Sequence, residues 1–316
     1  MKALYFDGHE LSLSTDYQLG RHDEVLVKVA YAGICGTDLE ILKGYAGFTG
    51  VPGHEFMGVV VDAVDRSFNG RRVVGEINVG CGVCSMCIRG LERHCPKRTV
   101  LGIKDRDGAF AEYLRLPAKN LHTVPDNISD VEAVFTEPLA AAYEILEQVK
   151  VEPGWRVAVV GDGRLGNLIA QVLSTVSTGL RVFGKHANKV GLLRDLGVDA
   201  VLEVGDEDVG GYDMVVEATG SVTGFAKAAK LVKPRGIVVM KSTVAAKHEL
   251  NLSPLVVNEV TLVGSRCGPF KPALNALSKG LVKVSNLVDA IYPLDEYRDA
   301  FKTAEQPQTL KVLLKP

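Results

Sequence analysis

The sequence predicts an α/β protein in which a β-rich domain is interrupted by a doubly wound, parallel-sheet domain. Three observations carry this. Residues 1–135 read as β-branched, period-two strands divided by Gly, Pro, Asn and Asp turns. Beyond residue 155, short apolar strands alternate with helical segments, the signature of a parallel sheet covered on both faces. A glycine-rich loop opens the first of those helices.

In chain order, Val25–Tyr31 and Phe56–Val64 alternate as strands. From Glu137 the period turns helical, with Leu139, Ala142, Tyr143, Leu146 and Val149 on one face. The interrupting domain then reads strand Arg156–Val160, helix Leu165–Val176, strand Arg181–Phe183 and helix Lys189–Leu196. Strands Ala200–Val204 and Tyr212–Ala218, helix Val222–Val232, and strands Ile237–Met240 and Val260–Gly264 follow. A helix near Pro272–Lys279 and a strand at Lys311–Leu314 close the chain. The expected division is a first domain over 1–138, with a cysteine-rich lobe at 78–97, a nucleotide-binding domain over 139–267, and a return to the first domain over 268–316.

Composition bounds the function. The 316 residues are 47% hydrophobic and 23% charged, with a formal net charge of −2. No basic excess points to nucleic acid, and no run of 18 apolar residues points to a membrane. The first ten residues lack an apolar signal core, so an intracellular, cytoplasmic protein with reduced thiols is expected.

The loop GDGRLG, Gly161 to Gly166 through Arg164 and Leu165, fits the dinucleotide fingerprint in its required strand–turn–helix context. Gly161 permits the turn, Gly163 the approach of a pyrophosphate, and Gly166 close helix–strand packing, with the phosphates on the helix N-terminus. The acid that normally accepts a ribose 2′-hydroxyl is missing. Gly184, Lys185 and His186 stand there instead, and the two basic residues favour NADP over NAD. Arg266, after a late strand, is a candidate contact to cofactor or substrate. Cys267 reads as a small buried apolar residue, and Asp213 and Glu217 as sheet-edge, solvated positions.

Four of the six cysteines, Cys81, Cys84, Cys87 and Cys95, follow C-x2-C-x2-C-x7-C. The short gaps let successive sulfurs face one point, and four thiolates make a closed tetrahedral zinc site that performs no chemistry. The x7 gap argues against an iron–sulfur cluster. A second constellation, Cys35 with His54 and Glu55, offers S, N and O ligands, as an open zinc site needs. Glycines flank Cys35 and precede His54, which suggests crowded backbone. His9, His22, His94, His122, His186 and His248 show no ligand pattern.

In order, GICGTD from Gly33, GHE from Gly53, the four-cysteine lobe, GAFAEY from Gly108, EPLA from Glu137 and GDGRLG resemble the zinc-dependent medium-chain dehydrogenases across the whole chain. The polyol and glucose dehydrogenase branch is the most similar. The resemblance implies a GroES-like catalytic domain and a Rossmann domain with the site in the cleft between them. It implies one catalytic and one structural zinc, and a homo-oligomer, dimer or tetramer. It makes Cys35 and His54 catalytic zinc ligands, with Glu55 or Glu137 completing the set, and Thr37 the hydroxyl on the substrate oxygen. Glu40 stands where relatives often carry a relay histidine. It could pass a proton or bind a sugar hydroxyl, which favours a sugar or polyol over a simple alkanol. Alternatives are a threonine- or short-alcohol-type dehydrogenase and a non-catalytic NADP-binding protein on the same scaffold.

Overall fold

The computed structural model describes residues 1–243 and 250–316; His248 therefore lies outside the described residues. The chain divides into two compact units. Unit 1 comprises Met1–Glu137, Phe270–Lys279 and Val284–Pro316, and unit 2 comprises Pro138–Pro269 and Gly280–Lys283.

Unit 1 begins with strands β1 (Ala3–Phe6), β2 (Leu11–Ser14) and β3 (Val25–Gly33), then helix α1 (Gly36–Leu42) and β4 (Glu55–Asp62). Strand β5 (Arg72–Gly75) follows; β6 (Asn78–Val79), α2 (Ser85–Ile88) and β7 (Thr99–Val100) then frame the cysteine lobe. Strands β8 (Tyr113–Leu116) and β9 (Leu121–Thr123) and helices α3 (Asp130–Ala133) and α4 (Thr136–Gln148) lead onward, α4 passing into unit 2.

Unit 2 alternates β10 (Arg156–Val160), α5 (Arg164–Ser174), β11 (Gly179–Phe183), α6 (Ala187–Asp195) and β12 (Asp199–Val201). It continues with β13 (Tyr212–Glu217), α7 (Gly224–Leu231), β14 (Val232–Met240), α8 (Ser253–Val257) and β15 (Thr261–Gly264). The chain returns to unit 1 with α9 (Phe270–Ser278), β16 (Val288–Pro293), α10 (Tyr297–Ala304) and β17 (Lys311–Lys315).

The main sheet of unit 1 runs β16-β17-β3-β4-β5-β9, with β8 also on β3. Its registers bring distant residues together: Gly33 faces Glu55 across β3 and β4, and Leu313 faces Gly33 across β17 and β3. The C-terminal strand thus lies beside the strand that delivers Cys35. Val27, Val29, Met57 and Leu313 pack the sheet and are almost wholly buried.

The unit 2 sheet is β12-β11-β10-β13-β14-β15, all parallel. Strand order reverses between β10 and β13, the place where an open α/β sheet receives a ligand beyond its carboxyl ends. Ala158, Val160, Val215 and Val238 form the apolar strand interior that the sequence pattern requires.

Several element boundaries shift by a few residues from expectation, and two of the shifts have a local cause. Strand β12 stops at Val201, because Leu202 is already 45% exposed and Gly205 starts a turn held by Asp208. Helix α7 starts at Gly224, because the hydroxyls of Thr219 and Ser221 accept backbone N–H groups and shape a turn through Val222 first.

Candidate functional site

Unit 1 holds two groups of side chains that could hold a metal ion. In the lobe between β6 and β7, Cys84 Sγ lies 3.6 Å from Cys87 Sγ and 3.7 Å from Cys95 Sγ, and Cys81 Sγ lies 4.0 Å from Cys87 Sγ. Thiolates about 2.3 Å from a central ion stand about 3.8 Å apart at the corners of a tetrahedron. The lobe has those dimensions and suits zinc. A disulfide needs about 2.05 Å, and none of the six cysteines forms one. An iron–sulfur cluster sets several atoms between its cysteine sulfurs, whereas this spacing leaves room for a single ion. Backbone N–H groups of Val83 and Cys84 lower the Cys81 thiol to about 6. Cys84 is lowered as well, first by the Cys87 N–H. Burial pushes Cys87 up to about 12, and a metal ion bound there would displace its proton.

In the second group, ligand atoms of Cys35, His54 and Glu55 all lie within 4.8 Å of one another. Cys35 is the N-cap of α1, and its N–H donates to Asp38 Oδ2 at 2.7 Å. The other Asp38 oxygen lies 3.3 Å from His54 Nδ1, although neither atom completes a hydrogen bond. The aspartate turns the histidine's Nδ1 edge toward itself, leaving Nε2 for the ligand cluster. Burial opposes a charged imidazole at His54, but the negative charge of Asp38 and Cys35 outweighs it and raises the group well above its usual range.

Glu55 is fully buried. Its Oε2 accepts from the Lys311 ammonium, while Oε1 has no partner. Lys311 is itself wholly buried, with Nζ 5.6 Å from the centre of the Phe135 ring. Gly33 has to be glycine here, because a Cβ would sit 2.4 Å from Glu55 Oε2. Gly33, two residues before Cys35, makes room for the Glu55 carboxylate. Gly53 crowds differently, its missing Cβ falling 2.5 Å from the Phe110 ring at φ +95°.

Thr37 Oγ1 lies 3.9 Å from Cys35 Sγ. Glu40, three residues on in α1, pairs at 3.0 Å with Lys43 on the exposed face. Glu137 opens α4 and lies outside the group formed by Cys35, His54 and Glu55.

In unit 2, Gly161 adopts φ +124°, and a Cβ there would lie 2.5 Å from the Ala218 carbonyl. Gly163 is the N-cap of α5, and Arg164, Leu165 and Gly166 form its first turn. Lys185 and His186 follow β11 and donate their backbone N–H groups to Asp162. Arg266 follows β15; its carbonyl accepts from the buried Lys241 ammonium at 2.8 Å, which also reaches Ser265 Oγ and the Ala141 carbonyl.

Three expectations need correction. Asp213 is part-buried rather than solvated: near the start of the central strand β13, its Oδ2 accepts the Arg156 N–H at 2.9 Å and its Oδ1 accepts from the Lys233 ammonium. Glu217 is 1% exposed rather than solvated: it ends β13, where its Oε1 accepts the N–H and the hydroxyl of Thr219. Cys267 is partly exposed rather than buried, because the loop after β15 leaves the sheet.

Comparison with known proteins agrees across the chain. The alcohol dehydrogenase GroES-like domain matches residues 21–126. The glucose dehydrogenase C-terminus matches residues 131–315. The chain belongs to the zinc-dependent alcohol dehydrogenase-like family of medium-chain dehydrogenases. Sorbitol dehydrogenase of Halalkalibacterium halodurans is 30% identical over 94% of this chain and 92% of that protein. D-arabitol-phosphate dehydrogenase of Enterococcus avium is 29% identical over 92% of this chain and 90% of its own length. Among solved structures, a Sinorhizobium meliloti protein described as a zinc-binding dehydrogenase, bound to NADP, superposes with a TM-score of 0.90 at 29% identity. It covers 100% of this chain and 99% of its own. An Escherichia coli alcohol dehydrogenase complexed with NADH has the same TM-score at 27% identity, with the same coverage.

This zinc-dependent, NAD(P)-linked dehydrogenase carries three site residues that motif reading did not assign. Asp38 was visible inside GICGTD, and its position three residues after an N-cap is the available signal. Asp162 was visible as an acid inside a phosphate loop, a placement that requires the charge to be spent on something. Lys311 gave no local signal, since its partner Glu55 lies 256 residues away.

Proposed function

We propose that the protein interconverts a secondary hydroxyl of a polyol or sugar and the corresponding carbonyl, with NADP as the preferred cofactor. Catalytic zinc is assigned to Cys35, His54 and Glu55, and structural zinc to the four-cysteine lobe. The convergence of a thiolate, an imidazole and a half-satisfied buried carboxylate within 4.8 Å carries this reading. Three protein ligands would hold the ion and leave it open to a substrate oxygen. The names of the sorbitol and arabitol-phosphate dehydrogenases support a polyhydroxylated substrate.

When bound, zinc supplies Lewis-acid chemistry that lowers the pKa of a substrate hydroxyl, and NAD(P) accepts the hydride. The chain's own residues do the rest. Asp38 aims His54, and Lys311 holds one Glu55 oxygen so that the other faces the ligand cluster. Thr37, beside Cys35, accepts the substrate's hydroxyl proton as its own hydroxyl passes one on. Glu40, one turn along the same helix, is the carboxylate toward solvent that receives it. The Gly161–Gly166 loop binds the pyrophosphate at the start of α5. Glu137 is assigned a role beside the metal rather than as a permanent ligand. The free, closely spaced thiols fit a cytoplasmic setting.

Initial rates over polyols, sugars and primary alcohols, each with NAD and NADP, test the reading. The highest kcat/KM is expected with a polyol and NADP. A clear preference for short primary alcohols or for threonine would overturn the substrate class.

Serine in place of Cys95 is expected to remove one of two zinc ions per chain and to lower the thermal midpoint, because a closed site contributes folding energy. Metal analysis beside a melting curve checks this.

The oligomer contact is assigned to the sheet edge at β15. Among the described residues this strand pairs only with β14, and Leu262, Val256 and Val257 beside it are 49%, 76% and 80% exposed. An open, apolar edge strand invites pairing, and an identical strand from a second copy matches it about a two-fold axis. Sedimentation is expected to give a dimer or a multiple of one, and Leu262→Lys with Val256→Glu a monomer.

A further inference from the structure

Asp162 sits directly after the first glycine of the phosphate loop, where an acid faces an incoming pyrophosphate. It is 5% exposed. Its Oδ2 accepts the N–H of Lys185 at 2.7 Å and that of His186 at 2.6 Å. The His186 ring nitrogen Nδ1 lies 3.1 Å from Oδ1 and 3.2 Å from Oδ2. An ionised carboxylate only accepts, so Nδ1 carries the hydrogen and Nε2 is the ring's remaining polar atom. Burial works against the charge on Asp162, but the donations from His186 and Lys185 outweigh it and hold the carboxyl below its usual range.

Val190 and the same aspartate together crowd Gly184. A Cβ at Gly184 would lie 2.5 Å from Val190 Cγ2, 2.9 Å from Asp162 Oδ2 and 3.0 Å from Asp162 Cβ. Position 184 is where an NAD-type site puts its ribose-binding acid. Here the acid comes from the phosphate loop instead and faces inward, with its accepting capacity used on the following turn. What remains to meet the ribose is the pair of basic side chains, Lys185 and the half-buried His186.

We propose that Asp162 is a positioning residue for the adenine-ribose end of the cofactor: by fixing the Lys185–His186 turn it presents two basic side chains to a ribose 2′-phosphate. The proposal deepens the NADP reading above and rests on it. Asp162 acts through the turn, and its own charge is already matched by three donors.

Calorimetry on the full-length, zinc-loaded protein tests this with two probes, adenosine 2′,5′-bisphosphate and 5′-AMP. Wild type is expected to bind the bisphosphate at least tenfold more tightly. Asp162→Asn, which keeps the shape and loses the charge, is expected to weaken the bisphosphate at least tenfold and 5′-AMP less than threefold. His186→Gln, which leaves Asp162 in place, is expected to weaken the bisphosphate selectively as well. Equal weakening of both probes by Asp162→Asn would make the residue a support of the fold alone and overturn the proposal. Tighter bisphosphate binding by that variant would show a repelling carboxylate and overturn it too. A wild-type preference that survives the substitution overturns this inference while leaving the NADP reading intact. A wild type without preference overturns both.

Discussion

Serine at Cys35 is expected to lower kcat by about a thousandfold or more while the fold survives, since removing a Lewis acid costs several kcal/mol of transition-state stabilisation. The substitution is mild for structure. Cys35 is the N-cap of α1, and serine is a preferred N-cap residue. Its backbone N–H still donates to Asp38. Zinc content should fall from two to one per chain with the melting temperature little changed. This is the reverse of the Cys95→Ser outcome, where stability falls with the metal. Turnover undiminished in Cys35→Ser would remove the role assigned to this thiolate.

The second large effect is thermodynamic. Lys311→Met is expected to destabilise the metal-stripped protein by about 3–5 kcal/mol, because it leaves the Glu55 carboxylate buried without a counter-charge. Both side chains are wholly inaccessible to solvent, so water cannot substitute. Zinc should recover part of the loss, because the ion then provides the missing positive charge. The double variant Lys311→Met with Glu55→Leu should recover most of the stability, since a buried pair replaced by apolar groups of similar volume is close to neutral. It should not recover turnover, because the carboxylate assigned to zinc is gone. Denaturant titrations with and without zinc, run beside activity, separate these effects. A Lys311→Met protein as stable as wild type after chelation would show that the Glu55 charge is satisfied elsewhere.

Most of the architecture was legible because its signals are local. The strand–helix alternation after residue 155, the GDGRLG turn and the two-residue cysteine gaps each lie within one short stretch of chain. The strand ends were harder. Whether β12 runs past Val201 depends on its being an edge strand, a fact of sheet order rather than of residue type.

The site was half legible for the same reason. Cys35, His54 and Glu55 stand in compact glycine-flanked motifs, and the β3–β4 register brings them together. Lys311 reaches them only because β17 returns to pair with β3, which no local pattern announces. Glu217 read as solvated because a carboxylate at a strand end usually is. Burial by neighbouring strands and the Thr219 donors reverse that. Lys185 and His186 read as basic residues that favour NADP, and the inward-facing Asp162 gives them a common anchor.

The central claim is a zinc ion held by Cys35, His54 and Glu55. Anomalous diffraction from a crystal, recorded on both sides of the zinc absorption edge, tests it most directly. The account predicts two peaks per chain, one among the four lobe cysteines and one bonded to Cys35 Sγ, a His54 nitrogen and a Glu55 oxygen. A single peak at the lobe in zinc-replete, active protein would contradict it.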